Sequence, residues 1–322
     1  MAYTRGMKIF SGSASKVLTD GICAALSVEP GDITVSSFSD GEINVQIGEN
    51  VRGRDVFLIN STSPPVNRHI MELLIMIDAA KRASAERVTA VLPYFGYARQ
   101  DRKDKARVPI TAKLVANLLT AAGADRILAV DLHCGQIQGF FDIPVDHLAA
   151  DVVFVKHVRE NLDLSNFTVV SPDMGSVKRS REFANRLGIP LAIVDKRRPQ
   201  DNEVEVMNII GEVDGYHCIM FDDMVDTAGT LVQAAKALKN RGALSVRACA
   251  THPLLSGKAM DNLDGSELEE LLVCDSVPLS ERAQAIGNIQ VLSMAPLIAE
   301  AIHRIHKDES VSSLFKDQII KR

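Results

Sequence analysis

Short apolar runs alternate with helical patterns along most of this chain. The run Val88–Leu92 is rich in apolar residues on successive positions and is stopped by Pro93. Strands that are apolar on both faces are typical of parallel sheets that helices cover on both sides. Before this run, Ile70, Leu73 and Ile77 recur with the spacing of one buried helix face. The alternation therefore predicts an α/β fold.

The same patterns place further elements along the chain. Strands are predicted at Arg126–Leu132, Thr168–Val170, Leu191–Val194, His217–Phe221, Ser245–Ala250 and Glu270–Cys274. Helices are predicted after a capping Thr111, over Ser176–Leu187, over Gly229–Arg241 and over Ala295–Ile305. Gly123, Gly188 and Gly242 follow the first three helices, where C-terminal glycines are expected.

Length and composition limit the class of protein. The 322 residues suffice for two domains of ~150 residues each. We predict domains over 1–149 and 150–322, with a C-terminal segment that could return to the first domain. A net charge of -5 argues against a dedicated nucleic-acid binder. The five scattered cysteines include no CxxC pair, and no apolar stretch is long enough for a membrane span, so we expect a cytoplasmic protein.

The segment CIMFDDMVDTAGT contains the clearest chemical motif. An apolar strand leads into Asp222 and Asp223, which could accept hydrogen bonds from vicinal sugar hydroxyls or hold Mg²⁺ through water. A loop of small and hydroxyl residues then opens a helix, where backbone N–H groups form an anion site. The pattern resembles the ribose-5-phosphate loop of the phosphoribosyltransferase fold. The loop consists of Asp226, Thr227, Ala228, Gly229 and Thr230.

Four other segments extend this resemblance over about 7–315. They are FSDGE (38–42), PYFGYARQDRKDKARVPITAK (93–113), DLHCGQIQGFFDIPVDHL (131–148) and DKRRP (195–199). Together they resemble class I ribose-phosphate pyrophosphokinases, also called phosphoribosyl pyrophosphate synthetases. The resemblance implies two phosphoribosyltransferase-like domains, each a mostly parallel sheet flanked by helices. It also implies transfer of the diphosphoryl group of ATP to the 1-hydroxyl of ribose 5-phosphate.

The resemblance assigns residues to ATP and to Mg²⁺. Five cations lie between Arg99 and Arg107, where a polyphosphate could bind. By resemblance, Arg99 and Gln100 contact ATP, and a neighbouring subunit supplies Phe38, Asp40 and Glu42. His133 and Asp173 are the implied Mg²⁺ ligands.

Two further loops complete the implied active site. Asp173, Met174, Gly175 and Ser176 correspond to a pyrophosphate loop in which the family usually has two glycines. Ser176 suits that loop only if the backbone there needs no positive φ. In the family, Lys196 and Arg198 occupy the two catalytic positions of a flexible loop. Two cations over the transferred phosphate would stabilise its charge, because phosphoryl transfer relies on positioning and electrostatics.

The resemblance also implies regulation and self-association. Family members form homohexamers with ADP and phosphate at a subunit interface. Parts of that regulatory site are matched by Arg52, Arg82, Ser84, Ser310 and Phe315. Two alternatives stay open: a phosphoribosyltransferase, which would share the sugar-phosphate loop, and a catalytically inactive regulatory subunit of the same fold.

Overall fold

The computed structural model describes residues 6–197 and 206–314. Within these residues the chain forms two compact units. The first contains 6–149, 276–278 and 294–314, and the second contains 150–197, 206–275 and 279–293. Each unit contains its own sheet.

The strands and helices are numbered in chain order. The strands are β1 (Met7–Ser11), β2 (Ile33–Ser37), β3 (Ile43–Ile47), β4 (Asp55–Ile59), β5 (Arg87–Leu92), β6 (Arg126–Val130), β7 (Val145–Leu148), β8 (Phe167–Ser171), β9 (Leu191–Arg197), β10 (Val206–Ile210), β11 (His217–Val225), β12 (Ser245–Pro253), β13 (Glu270–Cys274) and β14 (Ile289–Leu292). The α-helices are α1 (Lys16–Leu26), α2 (Val66–Arg82), α3 (Thr111–Ala122), α4 (Asp151–Asn161), α5 (Val177–Leu187), α6 (Gly229–Asn240), α7 (Ala259–Leu263), α8 (Glu281–Gln284) and α9 (Ala295–His306). Short 3₁₀ segments lie at Gly135–Phe140, Leu164–Asn166 and Val311–Leu314.

The sheet of the first unit has the strand order β1-β4-β5-β6-β7, and its neighbouring strands are parallel. Each residue of β4 is buried, as expected for a strand that is covered on both faces. The α2 face formed by Ile70, Leu73 and Ile77 is buried in the core, which confirms the predicted helix stripe. A separate hairpin of β2 and β3 contacts α2.

The sheet of the second unit has the order β10-β9-β8-β11-β12-β13-β14. Its pairs are parallel except for β9 with β10, so the predicted mostly parallel α/β architecture is confirmed. No helix among the described residues is long and apolar enough to cross a bilayer.

Three strands, β9, β11 and β12, run several residues beyond their predicted ends. β11 continues from the predicted end at Phe221 to Val225, so Asp222 and Asp223 lie inside the strand. β12 provides the reason, since its extension to Pro253 gives the end of β11 a backbone partner. In the same way β9 runs to Arg197 and not to Val194, because it pairs with the antiparallel β10.

Two other local predictions are wrong, and two are confirmed. Thr111 is the first residue of α3 rather than its cap, and its hydroxyl donates to Oε1 of Gln100 at 2.5 Å. β6 ends at Val130, because Asp131 turns the chain at a φ of 38°. Gly123 and Gly188 end α3 and α5 in the left-handed conformation, as predicted.

A buried charged cluster attaches α9 to the sheet of the first unit. Asp55 on β4 is fully buried. Arg87 on β5 donates to both of its oxygens, at 2.8 and 2.5 Å. Nδ1 of His306 lies 2.9 Å from one of these oxygens, and Arg87 also donates to the Ile305 carbonyl at 2.8 Å. Neutralising Asp55 would therefore weaken both its ion pair within the sheet and the attachment of α9 to the sheet.

The substitution Asp55→Asn should lower the free energy of unfolding by about 3–5 kcal/mol, because it removes the buried charge that pairs with Arg87 and leaves this cation with the exposed Asp308. Urea unfolding measures the effect. Asp78→Asn is the matched control, since it breaks the exposed pair of Asp78 with Arg82 and should cost less than about 1 kcal/mol. Equal losses in both variants would contradict this account.

Candidate active site

Two neighbouring carboxylates lie near the end of β11 in the second unit. The side chain of Asp223 is 4% exposed and that of Asp222 is 27% exposed. Nη1 of Arg179, on α5, lies 2.6 Å from Oδ1 of Asp223 and 3.1 Å from Oδ1 of Asp222. One cation therefore balances part of the charge of both acids.

The carboxylate of Asp222 titrates far from its ordinary range. Burial, and then the neighbouring Asp223 carboxylate, raise the pKa of Asp222 from 3.8 to about 7. The guanidinium of Arg179 opposes this shift. In the ligand-free protein the side chain thus changes charge near neutral pH.

The stability of the ligand-free protein should depend on pH through Asp222. Folding raises this pKa, so its contribution to stability is complete below about pH 4 and is lost as the pH rises through about 7. Asp222→Asn keeps the group neutral. In urea unfolding the variant should therefore gain stability relative to wild type between about pH 5 and about pH 8. A difference that stays constant over this range would contradict the raised pKa.

The connection from β11 to α6 forms an open cradle. Ala228 adopts a left-handed conformation with a φ of 59° directly before α6. The Asn262 amide donates to the Thr227 carbonyl at 2.8 Å, and the Ser256 hydroxyl donates to the Asp226 carboxylate. A Cβ added at Gly229 would meet only atoms 3.8 Å away outside the helix backbone. The first N–H groups of α6 and this open space together suit an anion.

The loop after β8 is organised around the side chain of Asp173. The Ser176 N–H donates to Oδ1 of Asp173 at 2.9 Å, and the Ser171 hydroxyl donates to the Asp173 carbonyl at 2.7 Å. Ser176 has a φ of -88°, so its backbone needs no glycine. Its side chain is buried, whereas Met174 and Gly175 are exposed. The departure from two glycines is therefore compatible with this loop.

In the first unit, Arg99 and Gln100 are exposed in the segment that follows β5. Both line a cavity of about 350 Å³, together with Tyr94, Tyr97 and residues 65–68. They also border a second cavity of about 340 Å³ with Arg102. Two adjoining spaces with cations at their edges suit a ligand that carries several phosphates.

The β2–β3 hairpin presents an exposed tip. Three residues of this tip are exposed: Phe38, Asp40 and Glu42. Phe38 has a relative solvent exposure of 56%. The Phe38 N–H donates to the Glu42 carbonyl at 2.9 Å, which closes the tip. Ser37, at the end of β2, accepts a hydrogen bond from Arg68, which lines the cavity beside Arg99. The three residues predicted from the resemblance thus share one exposed turn.

His133 lies on the turn that follows β6. It is exposed, and the N–H of the preceding Leu132 donates to Nε2 of His147 at 2.9 Å. The thiol of Cys134 donates to Asp101 at 2.9 Å. Burial, followed by the hydrogen bond to Asp101, raises the pKa of Cys134 to about 11, so the thiol is protonated at neutral pH.

Of the two predicted catalytic cations, Lys196 and Arg198, the structure describes only the backbone of the first. The backbone of Lys196 belongs to β9, opposite Met207 of β10. Arg198 lies outside the described residues. Their roles remain predictions from the sequence.

The structure brings some of the predicted regulatory residues close together. The N–H of Gly53, next to Arg52, donates to the Ser84 carbonyl at 2.9 Å. Arg82, two residues before Ser84, donates to Asp78 at 2.7 Å. The Ser310 carbonyl accepts from Arg304, and Phe315 lies outside the described residues.

Sequence reasoning missed Arg179, which contacts both acids of β11. One signal was available, because Lys178 and Arg179 are cations in the first turn of α5. A cation is unfavourable near the positive end of a helix dipole, so its presence there points to a nearby negative charge.

The described side chains do not form a complete metal cage. Among them, no group of three or more His, Cys, Asp or Glu residues is arranged to hold an ion. The candidate ligands lie in different units, His133 in the first and Asp173 in the second.

Two family models match the chain. One describes the N-terminal domain of ribose phosphate pyrophosphokinase and matches residues 7–123. The other describes a phosphoribosyl synthetase-associated domain and matches residues 201–316.

Curated relatives and a solved structure match nearly the whole chain. A ribose-phosphate pyrophosphokinase of Rhizobium meliloti is 57% identical over 309 residues, which are 96% of this chain and 100% of the relative. One of Caldanaerobacter subterraneus subsp. tengcongensis is 56% identical, over 97% of this chain and 99% of the relative. The crystal structure of phosphoribosylpyrophosphate synthetase from Mycobacterium smegmatis is 42% identical, with a TM-score of 0.89 over 94% of this chain and 100% of that chain.

Proposed function

The chain belongs to the ribose-phosphate pyrophosphokinase family, and on this premise we propose which of its residues carry the reaction. The enzyme transfers the diphosphoryl group of ATP to the 1-hydroxyl of ribose 5-phosphate. The products are AMP and 5-phosphoribosyl 1-pyrophosphate, a precursor in nucleotide biosynthesis.

Ribose 5-phosphate binds at the end of β11 in this proposal. Its phosphate is held by the loop 226–230, at the N-terminus of α6, and its 2- and 3-hydroxyls lie near Asp222 and Asp223. The observation that carries the assignment is the open space at Gly229, which lets an anion reach the helix N–H groups directly.

ATP binds in the first unit at the cavities beside Arg99 and Gln100. In this proposal the ATP site of a neighbouring subunit is completed by Phe38, Asp40 and Glu42. The exposure of these three side chains supports this reading, since a hydrophobic ring at a hairpin tip gains stability when a partner covers it.

His133 and Asp173 are proposed as ligands for Mg²⁺, as the family resemblance implies. Mg²⁺ usually keeps several waters and takes one or two carboxylates besides phosphate oxygens, so a complete protein cage is not needed. The Ser176 N–H fixes the Asp173 carboxylate, which orients it as a ligand. When bound, the ion would neutralise phosphate charge.

The protein contributes positioning and charge to the transfer. The 1-hydroxyl attacks the β-phosphorus of ATP in line, and AMP leaves from the opposite side. Lys196 and Arg198 stabilise the negative charge on the transferred group. The loop of Asp173, Met174, Gly175 and Ser176 holds the transferred pyrophosphate in the second unit through backbone N–H groups, which a change of the Ser176 side chain leaves in place.

We further propose a cytoplasmic homohexamer whose activity responds to phosphate and ADP. The backbone contact between the Arg52 and Ser84 segments supports one shared regulatory surface. Neither nucleic acid nor a membrane is a partner in this proposal.

Release of AMP from ATP and ribose 5-phosphate, without any nucleobase, is the decisive assay. The purified chain alone should produce AMP and 5-phosphoribosyl 1-pyrophosphate in equal amounts when Mg²⁺ is present. A phosphoribosyltransferase would need a nucleobase, and an inactive regulatory subunit would release no AMP. Either of those results would overturn the assignment.

A further inference from the structure

Three hydrogen bonds converge on one oxygen of Asp222. Its Oδ1 accepts from the Ser176 hydroxyl at 3.0 Å, from Nη1 of Arg179 at 3.1 Å and from the Asp223 N–H at 2.9 Å. Two of these donors come from the start of α5, which follows the proposed pyrophosphate loop. The network therefore joins the loop after β8 to the strand that carries the sugar-binding acids.

The donors restrict the rotation of the Asp222 carboxylate. Ser176 is 6% exposed, so its hydroxyl is largely withdrawn from solvent. Asp222 retains 27% exposure and is the more accessible acid of the pair. A carboxylate held in one orientation before its ligand arrives loses less conformational freedom on binding.

Arg179 acts on both acids at once. Its Nη1 lies 2.6 Å from Asp223 and 3.1 Å from Asp222. Two adjacent carboxylates repel each other when both are ionised, and a shared cation reduces this repulsion. The position of Arg179 in the first turn of α5 is unfavourable for the helix dipole. Contact with the two acids offsets this cost.

We propose that Ser176 and Arg179 are positioning residues for ribose 5-phosphate. They hold the Asp222 carboxylate in the orientation in which it accepts hydrogen bonds from the sugar hydroxyls. The proposal rests on the proposed sugar site at β11. It gives the Ser176 side chain a role that glycine cannot fulfil, because glycine has no hydroxyl to donate.

Steady-state kinetics of single variants test the proposal. Ser176→Ala and Ser176→Gly should each raise the KM for ribose 5-phosphate by about five- to tenfold, and Ser176→Thr should restore it. Arg179→Gln should raise it by about 30-fold or more, and Arg179→Lys should recover part of the loss. The KM for ATP should stay within about twofold in every variant.

Arg181→Gln is the matched control, because Arg181 is an exposed cation on the same helix. It should leave both KM values unchanged. Thermal melting checks that each variant folds, and Ser176→Ala carries the test if Arg179→Gln does not fold. Equal increases in the KM for ATP and for ribose 5-phosphate would indicate a merely structural role and overturn the proposal.

Asp222→Asn separates failure of this inference from failure of the proposed sugar site. If Asp222→Asn leaves the KM for ribose 5-phosphate unchanged, Asp222 does not bind the sugar, and both proposals fail. If it raises that KM while the Ser176 and Arg179 variants do not, the sugar site stands and only the positioning role is wrong.

Discussion

Replacing Lys196 or Arg198 by alanine should lower the kcat for AMP release by about 100- to 1,000-fold. Each side chain is proposed to stabilise charge that develops on the transferred diphosphoryl group. Such groups have large effects because they act on the transition state in a site from which water is excluded. The melting temperature should stay within about 3 °C of wild type, equivalent to about 1 kcal/mol. Steady-state kinetics and thermal unfolding of each variant measure the two effects.

Arg197 provides the matched control for this prediction. It carries the same charge between the two proposed catalytic residues. Arg197→Ala should therefore change kcat by less than about threefold. Near-normal turnover in both Lys196→Ala and Arg198→Ala would refute their assigned role. A large loss in Arg197→Ala would show that the total charge of the segment matters more than its two named positions.

Gly229→Ala should raise the KM for ribose 5-phosphate by at least about tenfold without lowering the free energy of unfolding. The protein itself has room for the new methyl group, since the nearest atoms outside the helix backbone would be 3.8 Å away. Alanine also favours a helix over glycine by up to about 1 kcal/mol. The methyl group would instead occupy the space in which the phosphate approaches the first turn of α6.

Gly287→Ala is the control for an added methyl group in the same unit. A Cβ at Gly287 would meet no atom within 4 Å, and the residue lies outside the proposed sugar site. Its KM for ribose 5-phosphate should match that of wild type. A Gly229→Ala enzyme with an unchanged KM would contradict a phosphate bound at this helix start.

Local sequence patterns predicted the buried strands and several helix ends, because these depend on neighbours along the chain. The run Val88–Leu92 lies within β5, and Gly188 ends α5 as expected. Strand ends were harder to predict. Asp222 and Lys196 look like loop residues in the sequence, yet both belong to strands whose partners, β12 and β10, come later in the chain.

In the candidate site, too, the individual residues could be predicted from the sequence, whereas their contacts across the fold could not. The sequence singled out Asp222 and the loop 226–230, because their chemistry is unusual after a predicted strand, and Ser176, because it replaces a glycine that is usual in the family it resembles. It could not reveal that Ser176 and Arg179 donate to one oxygen of Asp222, since that contact depends on how α5 packs against β11. The backbone angle φ of Ser176 could not be predicted either, because serine adopts many backbone conformations.

The first unit is built from both ends of the chain, and this affects the order in which the protein can form. A Cβ at Gly21 of α1 would lie 3.0 Å from that of Ala295, so the small residue allows α9 to pack closely. α9 also brings His306 to the buried Asp55. During translation these contacts must wait until residues 295–306 have left the ribosome. The nascent N-terminal half should therefore expose the α1 surface throughout synthesis of the second unit, as a potential site for chaperones.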